Sequence, residues 1–217
     1  MKLSKMFHRC AYDVGYSTVG HDVNYAFVEE EGALYIYFQG SSSTMDWIRN
    51  FLFDKQPYKD MAIPYRVHRG FLAAWKEVED LVIAKITEKV GDEYRYKKII
   101  TVGYSHGGAL AAFCHECVWY HRPDIRDQIE GYGFEAPRIY AGWRVKPALR
   151  ERWERFKIIR DNNDIVTHCP PVIFCYTHVG DIIKVHGDVK LVDGWIPRCV
   201  KSHYPQVVYD GLVKAEN

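Results

Sequence analysis

The sequence predicts an α/β fold, with a mainly parallel central sheet covered by helices on both faces. Three observations carry that expectation. Short apolar runs bounded by turn residues alternate with stretches whose apolar residues recur at spacings of three and four, the period of a helix face. Strands separated by helices form a largely parallel sheet, which needs cover on both faces. No internal repeat, low-complexity tract or Pro/Ser-rich linker divides the chain, so residues 1–217 are expected to form a single domain.

The elements follow in order. VNYAFV and ALYIYF, between Val23 and Phe38, flank EEEG and read as a hairpin, because both runs are branched or aromatic and a glycine closes the turn. Thr44 to Phe53 carry Met45, Ile48 and Leu52 at helical spacing, which predicts a short amphipathic helix before the loop DKQPYKD. A longer helix is expected from Phe71 to Val90, with Leu72, Trp75, Val78, Val82 and Ile86 on one face and Gly91 as its stop. KKIITV is then a strand, and GGALAAFCHECVWY the helix that follows a tight turn. The alternation continues with IEGYGF as strand, Trp143 to Glu154 as helix, RFKIIR and VGDIIKV as strands, and QVVYDGLVKA as a closing helix.

Composition narrows the function classes. A chain with 47% hydrophobic and 15% aromatic residues is not disordered in bulk. Twenty-nine basic against 28 acidic residues, net +1, build no field for nucleic acid. No apolar run approaches the roughly 18 residues of a membrane span, and MKLSKMFHRCAYDVGYS lacks the apolar core of a secretory signal, so the expectation is a cytoplasmic chain. The six cysteines (10, 114, 117, 169, 175 and 199) are expected to be reduced. Cys114 and Cys117, with His115 and His121 nearby, lack the second close-spaced pair of a structural zinc site and read as buried thiols. His115 and His121 are expected at the surface or as capping residues, and no metal or cofactor is expected.

The sharpest feature is VGYSHGG, in which Gly103, Ser105 and Gly107 form G-x-S-x-G between the strand and the helix. A turn this sharp lifts the serine clear of the sheet, side chains two positions either side would collide, and the helix start presents N–H groups to a reacting oxygen. Ser105 is therefore the candidate nucleophile. A serine nucleophile needs a base, and the base an orienting acid, in the order Ser, Asp/Glu, His for this kind of sheet. IIRDNNDIV offers Asp161 and Asp164 past a strand's carboxyl end. His168, His178, His186 and His203 lie downstream, and spacing alone does not choose among them, although His203 sits on a loop before the last helix.

Taken together, FQGSSSTMDWI, VHRGF, GYSHGGALA, YGFEAPRI, NNDIVTHCPP, THVGDIIKV and SHYPQVVYDGL resemble the class 3, fungal-type lipases of the α/β-hydrolase superfamily, in the family's order and over most of the chain. The resemblance implies a single-domain α/β-hydrolase that cleaves carboxylic esters, acylglycerols or other lipid-like esters, through an acyl-enzyme and without a cofactor. It implies Ser105 as nucleophile, Asp164 as acid and His203 as base, and it demotes His178 and His168. Ser41 and His106 would supply the oxyanion hole through backbone N–H groups. His106 departs from the leucine frequent at that place, and its imidazole is expected to line the site. His68 of VHRGF would support the oxyanion loop. SSTMDWIRNFLF matches the segment that forms a lid in relatives acting at lipid interfaces. There Trp47, Phe51 and Phe53 would meet acyl chains; the alternative is that Met45, Ile48 and Leu52 pack that helix on the core. The partner implied is an ester or lipid small molecule, with transient contact to a lipid interface. A binding module that has lost turnover, or an acyltransferase with the same three residues, remains open on the sequence.

Overall fold

The computed structural model describes residues 1–40, 53–59, 62–187 and 196–217. Helix α1 (Leu3–His8) precedes β1 (Ser17–Val19), β2 (Val23–Glu30) and β3 (Ala33–Phe38), which pair in sequence as antiparallel neighbours. After the short strands β4 (Lys55–Tyr58) and β5 (Tyr65–His68) comes helix α2 (Arg69–Ile86), then β6 (Lys89–Val90) and β7 (Glu93–Tyr94). Strand β8 (Ile99–Tyr104) leads into helix α3 (His106–His121), followed by β9 (Ile129–Phe134), β10 (Tyr140–Ala141) and helix α4 (Pro147–Arg150). The chain closes with β11 (Phe156–Asp161), β12 (Tyr176–Thr177), β13 (Asp181–Val185) and helices α5 (Arg198–Lys201) and α6 (Pro205–Ala215).

Seven strands form the main sheet in the order β1-β2-β3-β8-β9-β11-β13. From β3 onward all neighbours are parallel, with Phe38 opposite Gly103 and Tyr104 opposite Phe134. The register therefore brings the carboxyl ends of β3, β8 and β9 to one edge, where ligands collect in open α/β sheets. β3 shows why both faces need cover. All six of its residues are buried: Leu34, Ile36 and Phe38 enter the cluster under α2 and α3, while Ala33, Tyr35 and Tyr37 enter the one packed by Met6, Phe7, Val208 and Leu212 of α1 and α6. Among the described residues no helix is long and apolar enough to cross a membrane.

The expected elements appear in order, with several differences besides the added α1, β1 and α5. Helix α2 ends at Ile86 rather than Val90, because Gly91, at φ +64°, forms the turn of the β6–β7 hairpin and not a helix stop. Only Pro147–Arg150 of the expected Trp143–Glu154 helix is α-helical, with a 3₁₀ turn at Glu151–Trp153, since proline favours the first helical position and sets a late start. A second, antiparallel sheet in the order β12-β10-β5-β4 was not expected. His115, expected at the surface, is 1% exposed and packs 5.3 Å from Phe156, because α3 is buried almost all round between the sheet and α2. That helix also buries Glu116, which pairs with Arg152 and accepts from the Tyr65 hydroxyl. All six cysteines carry free thiols, and burial pushes those of Cys114 and Cys117 up. The expected helix at Thr44–Phe53 falls outside the described residues except for Phe53, which stacks on Phe174 at 4.5 Å.

Candidate active site

Ser105 stands between β8 and α3 in a backbone conformation that is uncommon for a residue with a side chain, φ +56° and ψ −125°. Two glycines make that turn possible. A Cβ on Gly103 would lie 2.0 Å from the Gly107 carbonyl oxygen, and one on Gly107 would lie 2.2 Å from that of Phe38. The Ser105 N–H donates to the Phe134 carbonyl at 2.9 Å, which ties the turn to the neighbouring strand. His106 is the first residue of α3, so its N–H belongs to the turn whose amide groups have no acceptor within the helix itself. Its ring lies 5.6 Å from Phe71, and burial holds the imidazole down at about 4, uncharged at neutral pH.

Asp164 lies three residues past the end of β11 and is wholly buried. Its Oδ1 accepts the Val166 N–H at 2.8 Å, and its Oδ2 lies 2.5 Å from His203 Nδ1. His203 sits in the turn between α5 and α6, 4% exposed, with Nε2 2.8 Å from the Ser105 hydroxyl. A backbone hydrogen bond from Ile165 N–H to the Cys199 carbonyl, 3.1 Å, joins the segments that carry the acid and the imidazole. The structure thus brings Ser105, His203 and Asp164 into one hydrogen-bonded line at the carboxyl edge of the sheet. In that line the carboxylate selects the tautomer with the proton on Nδ1 and leaves Nε2 able to accept the serine proton.

The other candidates lie elsewhere. Asp161 accepts from the N–H groups of Asn163 and Gly187, at 2.8 and 3.1 Å. His168 Nε2 meets the Asn162 carbonyl and His178 Nε2 that of Thr167, each at 2.9 Å, while His186 is exposed. Burial and the neighbouring Arg138 and Arg160 push His178 down to about 3. His68 ends β5, and its Nδ1 accepts the Phe71 N–H at 3.4 Å as the cap of α2. Ser41, Trp47 and Phe51 lie outside the described residues. Among the described residues no group of three or more His, Cys, Asp or Glu side chains is arranged to hold a metal ion.

Two residues at the site escaped the sequence reading. The Tyr104 ring stacks on His203, with centroids 5.1 Å apart and planes 19° apart, and its hydroxyl donates to the His203 carbonyl. Glu135, directly after β9, lies wholly buried beside Asp164 and accepts the Asp161 N–H at 2.8 Å. The available signal was position, since Tyr104 precedes the nucleophile and Glu135 follows the strand next to it.

The class 3 lipase family model matches residues 35–174. The chain is 28% identical over 173 residues to a lipase of Rhizomucor miehei, covering 76% of this chain and 46% of that protein. It is 27% identical over 182 residues to the secreted mono- and diacylglycerol lipase 1 of Fusarium solani, covering 78% and 53%. It therefore spans about half the length of these curated relatives. A solved triacylglycerol lipase, described as having a serine protease triad as its catalytic centre, superposes with a TM-score of 0.65 at 26% identity, over 79% of this chain and 65% of that one. With the family model matched over well over half of its residues, on an α/β-hydrolase fold, the chain belongs to the class 3 lipase family.

Proposed function

We propose that the protein is a serine hydrolase of carboxylic esters, with Ser105 as nucleophile, His203 as base and Asp164 as the acid that orients it. The observation that carries this reading is the line Ser105 Oγ–His203 Nε2, 2.8 Å, and His203 Nδ1–Asp164 Oδ2, 2.5 Å, with the serine on a strained strand-to-helix turn. Ser105 Oγ attacks the ester carbonyl as its proton passes to Nε2. Asp164 stabilises the imidazolium that forms, and His203 then returns the proton to the departing alcohol. Water, activated by the same Nε2, cleaves the acyl-enzyme and regenerates the serine. The oxyanion is assigned to backbone N–H groups of His106, by its place at the start of α3, and of Ser41, by the FQGS motif.

Acylglycerols or other esters with apolar acyl chains are the proposed substrates, met in transient contact with a lipid interface. Family membership and the mono- and diacylglycerol lipase among the relatives support that class. The test is hydrolysis of p-nitrophenyl esters from acetate to palmitate, with and without micelles. Ser105→Ala is expected to lower kcat by about a million-fold and to abolish labelling by a fluorophosphonate. The wild-type rate is expected to fall in acid, because only the neutral imidazole accepts the serine proton. A flat profile between about pH 5 and 8 overturns the assignment of the base, and a folded wild type that neither hydrolyses nor reacts with the probe overturns the enzyme reading.

A further inference from the structure

Glu135 occupies a place that ordinary packing does not explain. It follows the last residue of β9 at φ +47°, a left-handed conformation unfavourable for a residue with a side chain, and its carboxyl is wholly buried. Its backbone is pinned there by a hydrogen bond from its N–H to the Ile159 carbonyl, 2.8 Å. Strain of this kind persists where the surroundings demand one side-chain placement. The carboxyl lies between the backbone of Asp161, whose N–H approaches Oε1 at 2.8 Å and Oε2 at 3.1 Å, and the side chain of Asp164, with which it is in hydrogen-bond contact.

Two carboxylates cannot hydrogen-bond to each other, so one of this pair carries a proton. The donors present decide which one. Asp164 receives the Val166 N–H and the imidazole of His203, whereas among the described residues Glu135 receives the Asp161 N–H alone, which leaves Asp164 as the better-stabilised anion. Burial and the charge of Asp164 push Glu135 well above the usual carboxylate range, in agreement. Among the described residues, the other ionisable groups facing the pair are Asp161 from β11, Tyr104 from β8, His203 from the α5–α6 turn and Cys169, whose thiol is raised by burial and by the charge of Asp164.

We propose that Glu135 is a positioning residue for the Ser105–His203–Asp164 line: its neutral carboxyl accepts from the Asp161 N–H and donates to Asp164, holding that carboxylate with Oδ2 turned to His203. This inference rests on the hydrolase reading above and adds a residue to it. The hydrogen bond gives the aspartate a second side-chain partner beside the imidazole. It also spares the site a second negative charge, which would hold the imidazolium too tightly.

Glutamine keeps both bonds, because its amide oxygen accepts and its NH₂ donates. Glycine removes the carboxyl and suits the left-handed backbone, so the change adds no backbone strain. The experiment compares wild type, Glu135→Gln, Glu135→Gly and Ser105→Ala in kcat and KM on a p-nitrophenyl ester, in the pH–rate profile, and in the far-downfield proton resonance of the His203–Asp164 hydrogen bond. Glu135→Gln is expected to keep kcat within about threefold and leave the acid limb in place, while Glu135→Gly loses between about 10- and 100-fold in kcat with little change in KM. In the glycine variant the downfield resonance broadens or disappears, whatever the turnover. Should Glu135→Gln move the acid limb down by half a pH unit or more, the carboxyl is ionised in the wild type and the proposal fails. It fails equally if Glu135→Gly retains wild-type kcat and the downfield proton while Ser105→Ala is inactive. An active Ser105→Ala would instead overturn the hydrolase reading itself.

Discussion

Tyr104 holds His203 in two ways, by stacking on the ring and by donating its hydroxyl to the backbone carbonyl. Both contacts resist rotation of the imidazole away from the serine, and a misplacement of about 1 Å at a reacting pair can cost on the order of 100-fold in rate. Tyr104→Phe keeps the stacked ring and removes one hydrogen bond, so stability is expected to fall by about 1 kcal/mol and kcat by less than about tenfold. Tyr104→Ala removes both contacts and is expected to approach the 100-fold loss with KM nearly unchanged. Steady-state kinetics beside urea denaturation separate the two contributions. At this scale the sequence was informative about residue types and weaker about partners. Ser105 was legible because its glycines and its place between strand and helix are local. Asp161 and Asp164 stand three positions apart at the end of one strand, and four histidines follow them, so spacing alone leaves both choices open. Resemblance to the family selected Asp164 and His203, and distance in the fold brings these two to Ser105 while Asp161 turns to Gly187 and His178 to Thr167.

The unit that presents Ser105 is β8, its turn and α3 packed against the end of β3. The helix reaches that position only because Gly107 leaves room for the Phe38 carbonyl and Gly103 for the Gly107 carbonyl. Gly107→Ala is expected to force the helix start away from β3 and to cost about 2 kcal/mol or more, with fluorophosphonate labelling of Ser105 slowed even where the protein still folds. A variant with wild-type urea midpoint and labelling rate would show that the turn tolerates a methyl group. Elements of this kind are legible where their pattern is clean, as in ALYIYF, KKIITV, α2 and α6. Those that escaped notice are short. β5 and β12 have four and two residues, and both pair with β10, which lies far from each of them in the chain, so pairing rather than composition defines them. The end of α2 is hard to read from sequence for a related reason: glycine at a left-handed position serves a hairpin turn as well as a helix stop, and the pairing of Lys89 with Tyr94 decides between them.

Covering the sheet on both faces buries several ionisable groups outside the site, and these tie the stability of the whole molecule to pH. His115 is the clearest case. Burial pushes it down to about 3 against a hydrogen bond with the Glu130 backbone, and its Nδ1 has no hydrogen-bond partner among the described residues. In the unfolded chain the same ring titrates near 6.5. Between those values the unfolded state binds the extra proton, so stability rises with pH; the contribution is complete above about 6.5 and is lost progressively as pH falls towards 3. Between pH 7.5 and 5.0 one such group accounts for about 2 kcal/mol. His178, also held down to about 3, acts in the same direction, whereas Glu116, raised by burial to about 7, takes up a proton in the folded state and acts oppositely. The total slope therefore mixes several groups, and a difference between two proteins isolates one of them. His115→Leu is close in volume and has nothing to protonate. Urea unfolding at pH 7.5 and 5.0 is expected to show the wild type losing about 2 kcal/mol more than this variant across the interval. Equal losses in both proteins would mean that His115 is already accessible to protons in the folded state, and that α3 opens towards solvent far more readily than its packing against β9 and β11 implies.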